Sequence, residues 1–150
     1  MSLLARHLVI DMYGCNARSL ANSDFIKEAL LATIKESNLT LLDFTCHNIL
    51  PQGMAANILL AESHLTIHTY PELGYAAIDI FAFGDKLRPE KAVNILKTFF
   101  KPEKMKTTTL KRGDFGSQKD MKPKITISVA PLRRVKNTGA KVLKLLSRSK

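Results

Sequence analysis

Cysteine is scarce in this chain. Cys15 and Cys46 are too few for a disulfide framework, and a reducing cytoplasm is the expected compartment. Long apolar runs are missing as well. The longest, Ala55 to Ala61, is broken by Asn57 and falls far short of the roughly 20 residues that cross a bilayer, so no membrane span is expected. The opening Met1-Ser2-Leu3-Leu4-Ala5-Arg6-His7 lacks the apolar stretch and small-residue cleavage site of a secretory leader. Acids are absent from Pro131 to Lys150, a segment that holds Arg133, Arg134, Lys136, Lys141, Lys144, Arg148 and Lys150. Without those seven cations the formal charge of +10 falls to +3, an ordinary value. The basicity is therefore a tail property, and nucleic acid is not the expected partner. Val142, Leu143, Leu145 and Leu146 among the lysines could form a short amphipathic helix on RNA or an anionic membrane. A solvated extension is the favoured reading of that tail.

What remains reads as one soluble domain over residues 1–130, followed by the basic tail 131–150. An apolar content of 45% and a charged content of 24% suit a chain of this length with a buried core. His7 to Met12 reads as a strand and Gly14 to Asn16 as a turn. Ser23 and Asp24 offer a helix start, and Ile26, Leu30 and Ile34, with Phe25 and Ala29 beside them, form one helical stripe that Asn38 closes. Thr40 to Ile49 has strand composition. Pro51-Gln52-Gly53 turns the chain into a second apolar strand, Ala55 to Leu60, and Thr66 to Tyr70 forms a third that stops at Pro71. Gly74 to Phe83 is another strand. Pro89 suits a helix start, with Ala92, Leu96, Phe99 and Phe100 on one face. Met105 to Leu110 and Lys124 to Val129 are two further strands, separated by a polar loop holding Gly113 and Gly116.

Val9-Ile10-Asp11-Met12 and Ala77-Ile78-Asp79-Ile80 each precede a helix and then a strand, an internal β-α-β echo. The expected class is α+β: a two-layer α/β sandwich, its sheet mainly antiparallel and its helices on one face. The bare face of such a sheet needs cover, and two sheets stacking in a homodimer supply it.

Chemistry concentrates between Glu62 and Glu72, where Ser63, His64, His68 and Tyr70 also fall. A metal site is the first possibility. His64 and His68 would share a face on a helix, but Leu65-Thr66-Ile67 and Pro71 favour an extended chain, in which four residues span about 13 Å. No third ligand is evident, and no metal is expected. A hydrolase triad of Ser63, His68 and Asp79 lacks the G-x-S-x-G turn that exposes a nucleophile. On the residues alone, these are most simply polar groups at a strand edge.

The run Glu62-Ser63-His64-Leu65-Thr66-Ile67-His68-Thr69-Tyr70-Pro71-Glu72 closely resembles the processing site of the prokaryotic S-adenosylmethionine decarboxylase proenzymes. Gly74-Tyr75-Ala76-Ala77-Ile78-Asp79-Ile80-Phe81 and Gly84-Asp85 continue the match, as do Arg6-His7-Leu8 and Leu50-Pro51 with Gly53. The resemblance extends from about Leu3 to Gly113. It implies that Ser63 Oγ attacks the Glu62 carbonyl, that β-elimination cuts the chain between residues 62 and 63, and that a pyruvoyl group is left on Ser63. His68 matches the histidine that moves protons during processing. The pyruvoyl carbonyl then forms a Schiff base with the amine of a small amino-acid-type substrate and draws off the electron pair freed by carbon dioxide. No external cofactor is needed. Ile49, Leu65, Tyr70 and Glu72 fall at substrate-pocket positions, and a homodimer is implied because the family builds its sites between protomers.

Three positions depart from the family pattern. Phe83 stands where a cysteine normally donates the proton that ends decarboxylation, and would reshape the pocket. Ile49 replaces an aromatic that stacks on adenine, forfeiting on the order of 1 kcal/mol. Ala55 replaces a serine that assists processing. Cys46 is no obvious substitute donor, since three residues along a strand put it on the face opposite Ile49. The expected activity is decarboxylation of S-adenosylmethionine for spermidine synthesis. The alternatives are a pyruvoyl-dependent ornithine or arginine decarboxylase derived from that family, and an inactive regulatory paralogue.

Overall fold

The computed structural model describes residues 3–84 and 87–115, together with Lys119 and Lys122. Six strands form one sheet: β1 (Leu3–Tyr13), β2 (Leu41–Ile49), β3 (Gly53–Leu60), β4 (Ser63–Tyr70), β5 (Tyr75–Phe83) and β6 (Lys104–Asp114). Their order is β2-β3-β4-β5-β1-β6, and every neighbouring pair is antiparallel. Helices α1 (Ala17–Ala21) and α2 (Ser23–Glu36) connect β1 to β2, and α3 (Pro89–Phe100) connects β5 to β6. Both helical connections join strands that run the same way, so the β-α-β echo is structural. The two echoing segments pair with each other inside the sheet, Val9 opposite Asp79 and Ile10 opposite Ile78.

Strand alternation explains the core. Leu8, Ile10 and Met12 on β1, Ile78 and Ile80 on β5, and Leu65 and Ile67 on β4 point to one face and are buried. Ile26, Ala29, Leu30 and Ile34 of α2 and Ala92, Val93, Leu96 and Phe100 of α3 close over them. Phe25 holds the two helices together, its ring edge-on to Phe99 and Phe100 at 6.2 and 6.1 Å. No helix covers the opposite face among the described residues.

Several boundaries differ from the sequence reading. The short helix α1 follows the Gly14–Asn16 turn, in a stretch to which the sequence reading assigns no element, and the Asn16 side chain caps it by accepting a bond from the Ser19 N–H. Asn22, rather than Ser23, caps α2 in the same way. Asn38 does end that helix region, in a left-handed conformation at φ 54°. β4 begins at Ser63, three residues before the expected Thr66, because it continues in register with β5 from Ser63 opposite Ala82 onward. Lys124–Val129, Gly116, Asp85 and the basic tail 131–150 lie outside the described residues.

Gly53 opens β3 where its backbone passes close to β4. A Cβ built there would sit 2.3 Å from the Thr69 carbonyl oxygen, a backbone atom that cannot swing aside. The neighbouring Met54 N–H donates to Thr69 Oγ1 at 2.9 Å, and that hydroxyl donates to the Leu20 carbonyl at 3.1 Å, tying β3, β4 and α1 into one buried knot. Gly53→Ala is expected to cost about 2–3 kcal/mol by forcing these strands apart. Urea unfolding should show a lowered midpoint with an unchanged slope.

Candidate active site

Glu62 and Ser63 sit at a tight hairpin, with Ala61 and Glu62 as the loop between β3 and β4. Three contacts hold this loop. The Ala61 N–H donates to the Thr40 carbonyl at 3.0 Å, and the Thr40 hydroxyl donates to Glu62 Oε1 at 3.4 Å. The Phe83 N–H donates to the Glu62 carbonyl oxygen at 3.2 Å. The carbonyl of the Glu62–Ser63 bond is therefore polarised by a fixed backbone donor.

Ser63 shares strand parity with Leu65 and Ile67, so it belongs to the helix-covered face. There it lines a cleft of about 310 Å³ between the end of α2 and the start of α3. Leu60, Leu65, Ile80 and Ala82 make its apolar floor, while Ser37, Arg88 and Lys91 supply polar groups. Leu65, expected at a substrate pocket, is 1% exposed and meets ligand space through this cleft alone.

His68 lies elsewhere. It has the opposite parity to Ser63 and projects, exposed, from the helix-free face, about 17 Å further along β4. One chain does not bring Ser63 and His68 together. Nor does it assemble the triad, because Asp79 lies 3.3 Å from His7 Nε2 rather than beside His68. His64 and His68 share the helix-free face of an extended strand, and His64 stacks on Phe81 with centroids 5.2 Å apart.

The other candidates spread over that same face. Tyr70 stacks on Tyr75, and Tyr75 on Tyr13, at 5.7 and 5.3 Å. The Tyr75 hydroxyl donates to the Asp11 carboxylate, and this bond, with burial second, raises its pKa far above the ordinary phenol value. Ile49 ends β2 opposite Gly53 and is exposed, whereas Cys46 pairs with Ala56 and packs against the core. These two residues do face opposite sides. Glu72 is exposed in a short 3-10 turn, Pro71–Leu73, after β4. Ala55 is flanked by His47 on β2 and His68 on β4. The Phe83 side chain is 56% exposed at the end of β5, so it fills no pocket of its own chain, and its backbone is what meets Glu62.

Thr40, Arg88 and Lys91 escaped the sequence reading. They come from segments far from residue 63 in sequence and carry no motif, and only the folded chain brings them near it, Thr40 from just before β2 and Arg88 and Lys91 from the start of α3. His7 is a further case. Inside Arg6-His7-Leu8 it looks unremarkable, yet it lies between Asp79 and Arg112, whose guanidinium is 3.3 Å from His7 Nδ1 and 5.8 Å from the Phe81 centroid.

The family profile described as S-adenosylmethionine decarboxylase matches residues 6–113. An S-adenosylmethionine decarboxylase proenzyme from Clostridium kluyveri is 39% identical over 115 residues, covering 77% of this chain and 91% of the relative. One from Acidithiobacillus ferrooxidans is 41% identical over 113 residues, covering 75% of this chain and 85% of the relative. The crystal structure of the adenosylmethionine decarboxylase from Aquifex aeolicus superimposes with a TM-score of 0.70 at 29% identity, covering 75% of this chain and 92% of that one. Matched residues that run from β1 to the end of β6, on a shared fold, place this chain in the S-adenosylmethionine decarboxylase family.

Proposed function

We propose that the chain is the proenzyme of a pyruvoyl-dependent decarboxylase of S-adenosylmethionine, working in the cytoplasm in spermidine synthesis and cutting itself between Glu62 and Ser63. The observation that carries this reading is the hairpin. A serine follows a carbonyl that already accepts a backbone hydrogen bond, at a loop pinned on its other side by Thr40. Attack by Ser63 Oγ would place negative charge on that carbonyl oxygen, where the Phe83 N–H stands ready.

Ser63 fits the pyruvoyl precursor in a second respect. It begins a strand and borders a cleft, so a new chain end at residue 63 stays anchored by β4 and open on one side. Once formed, the pyruvoyl group supplies an electrophilic carbonyl that accepts the electron pair left by departing carbon dioxide. The chain's own residues bind and orient the substrate. Exposed Ile49 and Glu72 and half-buried Tyr70 cluster around the far end of β4, where they serve a substrate shared with a neighbouring chain.

That neighbour is a second copy. The helix-free face exposes Ile49, Leu59, Phe83, Leu110 and Tyr13, a spread of large apolar groups that a stacked sheet would cover. A second copy would also be the one other source of a His68 for Ser63, because this chain's own His68 lies on the opposite side of the sheet.

A basic amino acid is the second reading of the substrate, favoured by one pair of observations. Ile49 offers no aromatic platform for a base, and Phe83 has no proton to give. Purified wild-type protein, compared by intact mass with Ser63→Ala, tests the whole proposal. Two fragments in the wild type alone, the larger starting with a pyruvoyl group, are expected. Release of labelled carbon dioxide from S-adenosylmethionine, but not from ornithine or arginine, then selects the substrate. An uncut wild-type chain would leave the inactive paralogue as the reading.

A further inference from the structure

Self-cleavage creates a charge that the uncut chain does not carry. In the acyl shift, Ser63 Oγ bonds to the Glu62 carbonyl carbon, the peptide C–N bond breaks, and the nitrogen takes the hydroxyl proton. In the elimination a base removes the Cα proton of residue 63, the Cβ–Oγ bond breaks, and the electron pair leaves on Oγ. The leaving group is thus the new α-carboxylate of Glu62, and one of its two oxygens is the former Ser63 Oγ. The dehydroalanine left behind takes up water and releases ammonia to give the pyruvoyl group.

We propose that the Arg88 and Lys91 rim of the cleft receives this carboxylate and draws the elimination forward. The inference rests on the self-cleavage reading above. The departing oxygen starts inside the cleft, because Ser63 lines it. No acid lines that cleft, and neither Arg88 nor Lys91 is paired with an acid among the described residues. The nearby Glu90 is already engaged, since Arg6 holds it at 2.7 Å and also donates to the Leu87 carbonyl at 2.8 Å. Arg6 therefore removes a competing anion and fastens the segment that carries the two cations.

Glu62 itself supplies the need for them. Its side-chain carboxylate has one long bond to Thr40, and Oε2 is buried without a hydrogen-bond partner. A second carboxylate on the same residue adds like charge where the first is poorly satisfied. Movement of the new chain end toward Arg88 and Lys91 relieves that repulsion. It also carries the short chain's terminus away from residue 63, opening the fresh carbonyl to substrate. A charge-assisted contact to a forming carboxylate accelerates its departure about tenfold or more.

The test follows cleavage of chains freshly made in a cell-free system, wild type beside Arg88→Gln/Lys91→Gln. The double variant should stall after the acyl shift, with fragments appearing at least about tenfold more slowly. Its uncut chain should split at Glu62 under alkaline hydroxylamine, which cleaves esters and spares amides. Arg88→Lys/Lys91→Arg, which keeps the charge and controls for folding, should cut at the wild-type rate. High salt should slow the wild type and leave the double variant unchanged. A double variant that cuts on the wild-type schedule, or stalls with no hydroxylamine-labile bond, overturns the inference and leaves self-cleavage standing. A wild-type chain that never cuts overturns both.

Discussion

Ser63→Ala and His68→Ala chains, each uncut alone, are expected to restore cleavage when unfolded and refolded together. Roughly half of the His68→Ala chains should be cut, since random pairing puts half of them in mixed dimers. In each mixed dimer the His68→Ala protomer keeps Ser63 and borrows His68 from its partner, while the reciprocal site lacks both. The reason is geometric. Ser63 and His68 are about 17 Å apart along β4 and on opposite sides of the sheet, and no rotamer closes that gap. A second protomer is the one other source of that histidine, and it would have to reach Ser63 at the hairpin end of β4. Intact mass reads the result directly, because the mutant chains differ in mass. If mixing yields no fragment while wild type refolded in parallel is cut, His68 does not act across the interface.

The separation of these two residues was present in the sequence, though disguised. Leu65, Ile67 and Thr69 alternate with Thr66, His68 and Tyr70, a parity that needs only one extension back to Ser63 to put the serine with the buried set. Starting the strand at Thr66 hides this, because Glu62, Ser63 and His64 are all polar and look like a loop. The β5 ladder, Ser63 opposite Ala82 and His64 opposite Phe81, is what makes them a strand, and strand partners are not encoded locally. The helical stripes and the β-α-β echo were legible for the contrary reason. Their 3.6-residue and two-residue periods are local consequences of which face is buried.

Cys46 and Ile49 show parity used successfully, since a spacing of three within one strand sends one to the core and the other to the open face. The cleft shows its limit. Arg88 and Lys91 flank Ser63 because α3 crosses back over the sheet after β5, and nothing in their own segment marks them as different from other surface cations. A single family position can mislead in a subtler way. Phe83 invites attention to the thiol it lacks, whereas the atom that meets the scissile bond is its backbone nitrogen, which any residue but one supplies.

That exception defines the sharpest chemical prediction for this chain. Phe83→Pro removes the N–H that lies 3.2 Å from the Glu62 carbonyl oxygen and should slow self-cleavage by about 10²–10³-fold, the effect of losing one oxyanion donor. Phe83→Ala keeps that donor and removes only an exposed ring, so it should cut at nearly the wild-type rate. The contrast isolates the backbone from the side chain. Position 83 is the last residue of β5, where proline is tolerated better than in a strand interior, and matched melting curves for the two variants would verify the fold. Equal cleavage rates for Pro and Ala would mean that the carbonyl is activated by some other group, such as one reaching across from the second protomer. A slow Phe83→Ala chain would instead show that the ring takes part in processing, packed against the partner's sheet. The proton that ends decarboxylation is a separate matter. A chain that cuts normally with Phe83 in place would have to take that proton from another group, and the helix-free face on which Phe83 lies carries histidines and tyrosines that can supply one.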